Sequence, residues 1–502
     1  MKPWLLLLPV LLIACKKETL TKTPTGNSYT TISTSTKNLG YPSHEAIAAA
    51  LANEPLRVNT ADFTIKVEGA AGRGDLIGIV GEQNFLADTT TIRSDGIMKF
   101  TKTEGYPQGI YYVKFAEQKY LQIILAEDQT FTLKTTADDP DGNIEVEGSD
   151  ENSAYFENLA AERISNQTLQ DITARMTASQ KGSEAYTAAK AEQTALIDKR
   201  DADLEKLYKK YPSTLFEKFK RAGANPRAKE DLPQNEMIYH FQQEYWDSVD
   251  FSDNRLLRTP VIKNKLIKYF DELTAKNQDS IIVNAYRLID RTVTYPDYFR
   301  FISIWIANKY DPNAESTLMD PEKIHVKLMQ KYFTHERAFW ADSITVFSYQ
   351  QRPAEMQNSL IWEKAPDVTS QDLSGTTHRL FANNEDYLVV YLFSPSCEHC
   401  LKETPELVRW YNEQKAQGKS RDVYSIALET NEKELSDYIK KNNIPFPVIW
   451  DPTSRSIFKT YYVNITPEIY VLNPDRIIVG KNLKTFQIDT MINRDIDKRV
   501  GK

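Results

Sequence analysis

A short stretch near the C-terminus constrains the fold more than any other part of the chain. Tyr387–Phe393 is an apolar run typical of a buried strand, and it stops at the corner Ser394-Pro395-Ser396. A helix is predicted to begin at Cys397, with Cys400 one turn further along. The unpaired N–H groups and the dipole of a helix N-terminus favour thiolate over thiol. We therefore expect Cys397 to be a reactive thiol that the surrounding elements position.

Residues 362–500 alternate between strand and helix patterns around this corner. Helices are predicted over Cys397–Gln417 and Glu432–Asn442, and strands over Val423–Leu428 and Glu468–Leu472. A further short helix is predicted over Ser454–Tyr461. Alternation of this kind indicates an α/β domain in which helices cover both faces of a central sheet.

Four motifs accompany the corner. They are Ala365-Pro366-Asp367 with Asp372-Leu373-Ser374-Gly375, the pair Cys397-Glu398-His399-Cys400, the run Glu403-Thr404-Pro405, and the run from Thr466-Pro467 to Leu472. Together they resemble the TlpA/ResA-like thioredoxin family of exported thiol–disulfide oxidoreductases. The resemblance covers a little over a quarter of the chain and implies a thioredoxin fold for residues 362–500.

The resemblance also implies roles for individual residues. Cys397 would attack a substrate disulfide and Cys400 would resolve the mixed disulfide. Glu403 would carry the proton of Cys400, and Pro467 would be the cis-proline that faces the pair. The family usually has Trp directly before the first cysteine, whereas this chain has Ser396, which implies a more open oxidised site.

Glu398 and His399 are predicted to tune the redox pair in opposite directions. In oxidising family members a His at the position of His399 stabilises the thiolate, whereas a carboxylate such as Glu398 near a thiolate raises its pKa. The sequence therefore leaves open whether the pair reduces, oxidises or isomerises disulfides.

Three other interpretations of the pair compete with this one. A zinc site needs four ligands, and His378 and His399 are the nearby candidates, so we expect no metal and no other cofactor. A thiol peroxidase of the same superfamily could use the Ser394 hydroxyl, but Val390 stands where a proline belongs. A non-enzymatic binding or assembly lipoprotein, with the helical region as its working part, is the third alternative.

The N-terminus carries a predicted targeting segment, residues 1–14. Its ten-residue apolar run is too short to span a bilayer and ends in Leu12-Ile13-Ala14-Cys15, which resembles the lipobox of bacterial lipoproteins. This implies lipidation of Cys15, a flexible tether over residues 15–42, and a membrane-anchored protein of the cell envelope that faces the periplasm. Because the chain has three cysteines, Cys397 and Cys400 can then pair only with each other.

Two further domains are predicted between the tether and the thioredoxin-like domain. Residues 61–148 show short alternating strands and frequent glycines, which indicate an antiparallel β sandwich. Residues 152–350 show helical periodicity and predict an all-α domain, within which Ser213 is expected to cap a helix. Arg352–Lys364 is predicted to be a linker. Both domains resemble those that precede thioredoxin domains in envelope lipoproteins.

The formal net charge of −7 gives no basic face for nucleic acid. The expected partners are thiols and disulfides of envelope proteins, together with an unidentified protein that recycles the pair.

Overall fold

A computed structural model describes residues 60–501, apart from residues 118, 230, 313–317, 451–459 and 464. The predicted leader, Cys15 and the tether lie outside the described residues, as does most of the helix predicted over Ser454–Tyr461. The chain divides into two compact units between Leu273 and Thr274. None of the helices in the described ranges combines the length and the hydropathy that a bilayer-spanning segment requires.

The described strands of the first unit form two four-stranded sheets. They are β1 (Ala61–Glu68), β2 (Gly72–Val80), β3 (Gln83–Ile92), β4 (Ile97–Lys102), β5 (Gly109–Ala116), β6 (Lys119–Leu125), β7 (Thr132–Thr136) and β8 (Glu145–Glu147). The strand orders are β4-β1-β7-β8 and β3-β2-β5-β6. Each strand of the pair β1 and β4 alternates buried residues with more exposed ones, as strands with one face on a core do.

One strand pair in the first unit corrects the prediction of a purely antiparallel arrangement. β1 pairs with β7 in parallel, with Ile65 opposite Leu133. Parallel neighbours need a long crossover connection, and the strands β2 to β6 lie between these two in the chain. Phe63 of β1 stacks on Phe100 and on Phe131 at ring distances of 5.2 and 4.9 Å, so the mixed sheet shares one aromatic core.

The helices of the first unit follow the strands in the chain. They are α1 (Asp150–Ala178), α2 (Glu184–Lys210), α3 (Leu215–Gly223), α4 (Gln234–Glu244) and α5 (Val261–Lys268). The prediction that Ser213 caps α3 is wrong, because Thr214 does so, accepting a hydrogen bond from the Glu217 amide at 3.2 Å. Ser213 has a φ of +62°, whereas Thr214 has the extended backbone that an N-cap requires.

Helices also open the second unit, so the helical region is divided between the two units. They are α6 (Gln278–Arg291), α7 (Pro296–Lys309), α8 (Pro321–Tyr332) and α9 (Ser343–Met356). The prediction of a linker from Arg352 onward is wrong at its start, because Pro353 lies inside α9. Burial of Met356 against Val326 and Leu360 keeps this last turn helical despite the proline.

The rest of the second unit alternates strands and helices. It contains β9 (Thr369–Gln371), β10 (Thr377–Arg379), β11 (Tyr387–Phe393), α10 (Glu398–Ala416), β12 (Arg421–Ala427), α11 (Glu432–Asn442), β13 (Val448–Trp450), β14 (Glu468–Leu472), β15 (Ile478–Gly480) and α12 (Ile488–Arg499). The five-stranded sheet has the order β13-β12-β11-β14-β15. β11 lies in its centre, parallel to β12 and antiparallel to β14, and every side chain of β11 is buried.

A buried ionic cluster joins the helices of the second unit to this sheet. Asp320 is fully buried and caps α8, and its other carboxylate oxygen accepts a hydrogen bond from the Ile361 amide at 2.7 Å. The Lys481 ammonium lies 3.7 Å from Asp320 and 3.4 Å from Glu322. Burial raises the pKa of Asp320 to about 6, although the charge of Lys481 opposes this increase. Lys481 is therefore the cation that allows Asp320 to stay ionised.

A second buried group, His325 of α8, makes the stability of this unit sensitive to acid. Burial and the neighbouring Arg352 charge lower the pKa of His325 to about 4. An unfolded chain protonates His near pH 6.5, so the stabilisation is present above that pH and is lost as pH falls towards about 4. The difference corresponds to about 3 kcal/mol.

We expect the substitution His325→Gln to remove this acid sensitivity. The stability gap between wild type and variant should narrow or reverse, by up to about 3 kcal/mol, as pH falls from about 7 to about 4. Urea unfolding across this range measures it, and His335→Gln, at an exposed histidine, is the matched control. Parallel pH profiles for wild type and His325→Gln would contradict the prediction.

Candidate functional site

The redox pair lies where β11 ends and α10 begins. Cys397 is the N-cap residue of α10, with the extended backbone angles φ −78° and ψ 123°. Its amide donates to the Ser394 carbonyl at 3.1 Å, which closes the corner. Both Cys397 and Cys400 are free thiols in this structure. The thiol of Cys397 thus lies at the helix N-terminus, where backbone N–H groups favour its anion.

The two thiols differ in exposure and acidity. Cys397 is partly exposed, whereas Cys400 is fully buried. Burial alone would raise the pKa of Cys397, but hydrogen bonds from the Thr466 hydroxyl, the Cys400 thiol and nearby backbone N–H groups outweigh it, so its pKa is lowered. Burial raises the pKa of Cys400 to about 12. The arrangement therefore supplies one nucleophilic thiolate and one protected thiol.

The peptide bond between Thr466 and Pro467 is cis, as the sequence resemblance implies. It places the Thr466 carbonyl 3.1 Å from the Cys397 sulfur, where it accepts a hydrogen bond from the thiol. This bond exists only in the protonated form, because a thiolate has no hydrogen to donate. Pro467 itself offers no N–H beside the sulfur.

Glu403 forms hydrogen bonds with a loop that is distant in the chain. Its carboxylate accepts hydrogen bonds from the backbone N–H and the hydroxyl group of Thr485, at 2.6 and 2.7 Å. Thr485 begins a short 3₁₀ helix, Thr485–Gln487, that leads into α12. These contacts fix the loop after β15 against α10, and the proton-transfer role of Glu403 stays a prediction.

The two residues between the cysteines are exposed. Glu398 and His399 both lie in the first turn of α10 without burial, and Ser396 on the corner is also exposed. The Ser396 hydroxyl lies 3.0 Å from that of Ser394, which is buried. His399 lines a cavity beside the cis peptide bond. The predicted redox-tuning roles of Glu398 and His399 stay predictions.

Sequence reasoning missed a buried chain of hydroxyl groups under the pair. The Thr404 hydroxyl lies 2.7 Å from the Tyr391 hydroxyl and 2.7 Å from that of Tyr438, which in turn donates to the Cys400 carbonyl at 3.1 Å. Thr404 is fully buried. The signal in the sequence is a tyrosine inside the apolar run of β11 and a threonine one turn after Cys400.

We expect Thr404→Val to destabilise the second unit by about 1–3 kcal/mol, because it leaves the Tyr391 and Tyr438 hydroxyl groups with a buried apolar neighbour. Thr404→Ser keeps the hydroxyl and should lose less. Urea unfolding of both variants makes the comparison. Equal stability of the valine and serine variants would show that the hydroxyl chain contributes nothing.

The described residues contain no group of three or more His, Cys, Asp or Glu side chains that could hold a metal ion. Of the two histidines that the sequence offers as ligands, His378 lies on β10 and its Nε2 is 2.9 Å from the Asp372 carboxylate.

Comparison with solved structures gives thioredoxin-like proteins. A crystal structure of a thioredoxin-like protein from Bacteroides caccae covers 54% of this chain and 98% of its own, at 21% identity and a TM-score of 0.44. A domain of a possible thiol-disulfide isomerase from Cytophaga hutchinsonii covers 28% of this chain and 97% of its own, at 27% identity and a TM-score of 0.27.

Comparison with curated sequences gives proteins named thiol-disulfide oxidoreductase ResA. The protein from Bacillus subtilis is 26% identical over 117 residues, which are 23% of this chain and 63% of that protein. The protein from Bacillus cereus is 27% identical over 135 residues, which are 26% of this chain and 75% of that protein. This chain therefore spans slightly less than two thirds of the Bacillus subtilis relative. The predicted resemblance to ResA-like proteins is confirmed.

The AhpC/TSA family profile matches residues 361–481, which hold β9 to β15 and the redox pair. The match, the ResA-like relatives and the arrangement of sheet and helices agree with one another. Residues 361–481 are a thioredoxin-like domain of the AhpC/TSA family.

Proposed function

We propose that this protein is a thiol–disulfide oxidoreductase that exchanges disulfides with other proteins. The observation that carries the proposal is the unequal pair, in which a partly exposed Cys397 of lowered pKa stands before a buried Cys400 of raised pKa. The relatives named ResA support the same reaction class.

The reaction follows from this inequality. The Cys397 thiolate attacks one sulfur of a substrate disulfide, forming a mixed disulfide and releasing the first substrate thiolate. Cys400 then gives up its proton, and its thiolate attacks the Cys397 sulfur. This second step closes the Cys397–Cys400 disulfide and releases the second substrate thiolate. Two electrons pass from the pair to the substrate, and the reverse sequence oxidises a dithiol.

Four neighbouring residues complete the proposed site. Glu403 assists proton transfer at Cys400, Pro467 shapes the surface on which the substrate segment lies, and Glu398 and His399 set the reduction potential. A further protein recycles the pair. It carries a dithiol if the pair reduces its substrate, and a disulfide if the pair oxidises its substrate.

We also propose that the protein is anchored in the cell envelope. A lipid on Cys15 anchors the chain to a membrane of the cell envelope, and residues 15–42 act as its tether towards the periplasm. The β region, proposed to be a sandwich over residues 61–148, and the helical region hold or select the substrate.

The experiment that tests the reaction offers the reduced protein two oxidants separately, a disulfide-bonded protein such as insulin and hydrogen peroxide. We expect fast oxidation of the pair by the disulfide and slow oxidation by the peroxide, each followed by the appearance of the Cys397–Cys400 disulfide in mass spectrometry. Faster reaction with peroxide would favour the thiol peroxidase alternative. Reaction with neither would leave the non-enzymatic lipoprotein as the better explanation.

A further inference from the structure

A cavity of about 790 Å³ opens beside the cis peptide bond whose carbonyl contacts the reactive thiol. Its lining includes His399 of α10 together with Thr466 and Pro467 of the cis peptide bond. The Thr466 carbonyl is also the group that accepts the hydrogen bond from the Cys397 sulfur. A segment that occupied this cavity would therefore pass next to the atom that attacks its disulfide.

The apolar wall of the cavity comes from two parts of the second unit. Met319 lies just before α8 and Pro321 is the first residue of α8, and both are outside the thioredoxin-like domain. Phe486 lies in the 3₁₀ helix before α12. Phe486 is 82% exposed and Ile465, next to the cis peptide bond, is 47% exposed. Large apolar side chains that are exposed at the mouth of a cavity favour binding of an apolar group, because the bound group would remove them from water.

Charge is distributed unevenly over the same lining. The acidic residues, Glu322 and Glu468, are mostly or fully buried, and Lys481 lies between the helix and the sheet beside them. The side chains of Lys484 and Arg494 are exposed and cationic. No exposed acidic side chain faces the cavity among its described residues. The mouth of the cavity is therefore complementary to an anionic group.

We infer that this cavity selects the partner protein by binding an extended segment whose disulfide cysteine is followed by a bulky apolar residue and then by an acidic one. Met319 and Phe486 contact the apolar side chain, and Lys484 and Arg494 face the acidic one. The inference rests on the proposed function, because the segment must present its disulfide to Cys397. It assigns part of substrate choice to the helical region, through Met319.

The test compares two peptides, each with one cysteine in a mixed disulfide with glutathione. In the first peptide Leu and Glu follow the cysteine, and in the second peptide Ser and Lys follow it. With reduced glutathione in excess to regenerate the dithiol after each cycle, we expect the protein to turn over the first peptide with a kcat/KM about tenfold higher, chiefly through a lower KM. Raising the salt concentration should shrink the preference, because exposed charges are screened.

Variants at the mouth of the cavity test the assignment to residues. Phe486→Ala and Arg494→Glu should each lower the ratio of the two kcat/KM values, because each removes one of the two contacts. Both residues are exposed, and circular dichroism checks that both variants fold. Lys419→Glu, an exposed charge reversal outside the lining, is the matched control and should keep the wild-type ratio.

The outcomes separate the two proposals. Turnover of neither peptide by the wild type would contradict the proposed function. Turnover of both peptides at equal kcat/KM by the wild type, or a preference that is undiminished in both folded variants, would overturn the cavity inference and leave the exchange reaction standing.

Discussion

Replacing Cys397 by serine is expected to lower the rate of disulfide exchange by roughly 10³-fold or more, to the rate of the uncatalysed reaction. Cys397 is the thiol with both access to a partner and a lowered pKa, whereas Cys400 is fully buried with its pKa raised to about 12. Cys400 therefore cannot take over the first attack. The effect is measured as the rate at which a disulfide-bonded substrate protein loses its disulfide.

The substitution Cys400→Ser should have a different result. The first attack by Cys397 still takes place, but no internal thiol resolves the product, so a mixed disulfide accumulates. Electrophoresis without reductant detects it, and mass spectrometry locates it on Cys397. Cys15→Ser is the matched control, because it removes the remaining cysteine of the sequence and should leave exchange intact. An adduct that also forms with Cys397→Ser would contradict the assignment of the nucleophile.

The second large effect is expected from Lys481→Met. Lys481 is 3% exposed and faces Asp320, which is fully buried, and Glu322. Removing one partner of a buried ion pair leaves an uncompensated charge, which typically costs about 3–5 kcal/mol. We expect a loss of this size in the second unit at about pH 8.

The loss should be smaller at lower pH. The pKa of Asp320 is already raised to about 6 by burial, and without the Lys481 charge it rises further. The folded variant then holds a proton that the unfolded chain releases, so the variant loses stability relative to wild type as pH rises through this range. At about pH 5 the Asp320 carboxyl group of the variant is protonated and neutral, so the absence of the Lys481 charge costs less stability.

Hydrogen exchange in urea, read for the peptides of β14 and β15, localises this effect to the second unit. Lys419→Met, at an exposed lysine, should leave the stability at both pH values unchanged. A destabilisation by Lys481→Met that is the same at both pH values would mean that lost packing, and not the uncompensated carboxylate, is its cause.

The chemistry of the site could be predicted because the residues that indicate it are close together in the sequence. An apolar strand, a Ser/Pro corner and a cysteine at the helix start lie within one short stretch, and the structure places Cys397 at the N-cap of α10. The cis bond of Thr466-Pro467 is predictable through resemblance to a family and not from the dipeptide itself, since most X–Pro bonds are trans.

The parts that escaped prediction depend on residues that are distant in the chain. The contact of Thr404 with Tyr438 and that of Asp320 with Lys481 exist only after the elements pack, and no periodicity of one segment reports them. A proline such as Pro353 usually marks the end of a helix, but the packing of Met356 in the core keeps the last turn of α9 helical. The contacts of Glu403 with Thr485 likewise arise from a loop far along the chain.

The hydrogen bond from the Ile361 amide to Asp320 has a practical consequence for work on fragments. The match to the AhpC/TSA family begins at residue 361, which makes this residue an obvious place to cut the chain. Such a fragment would lose Asp320 and Glu322, together with the helical residues that cover Lys481, so this face of the sheet would meet water. The residues that match the family and the residues that complete the ion cluster therefore have different borders, and an excised fragment that begins before Asp320 keeps the ion cluster whole.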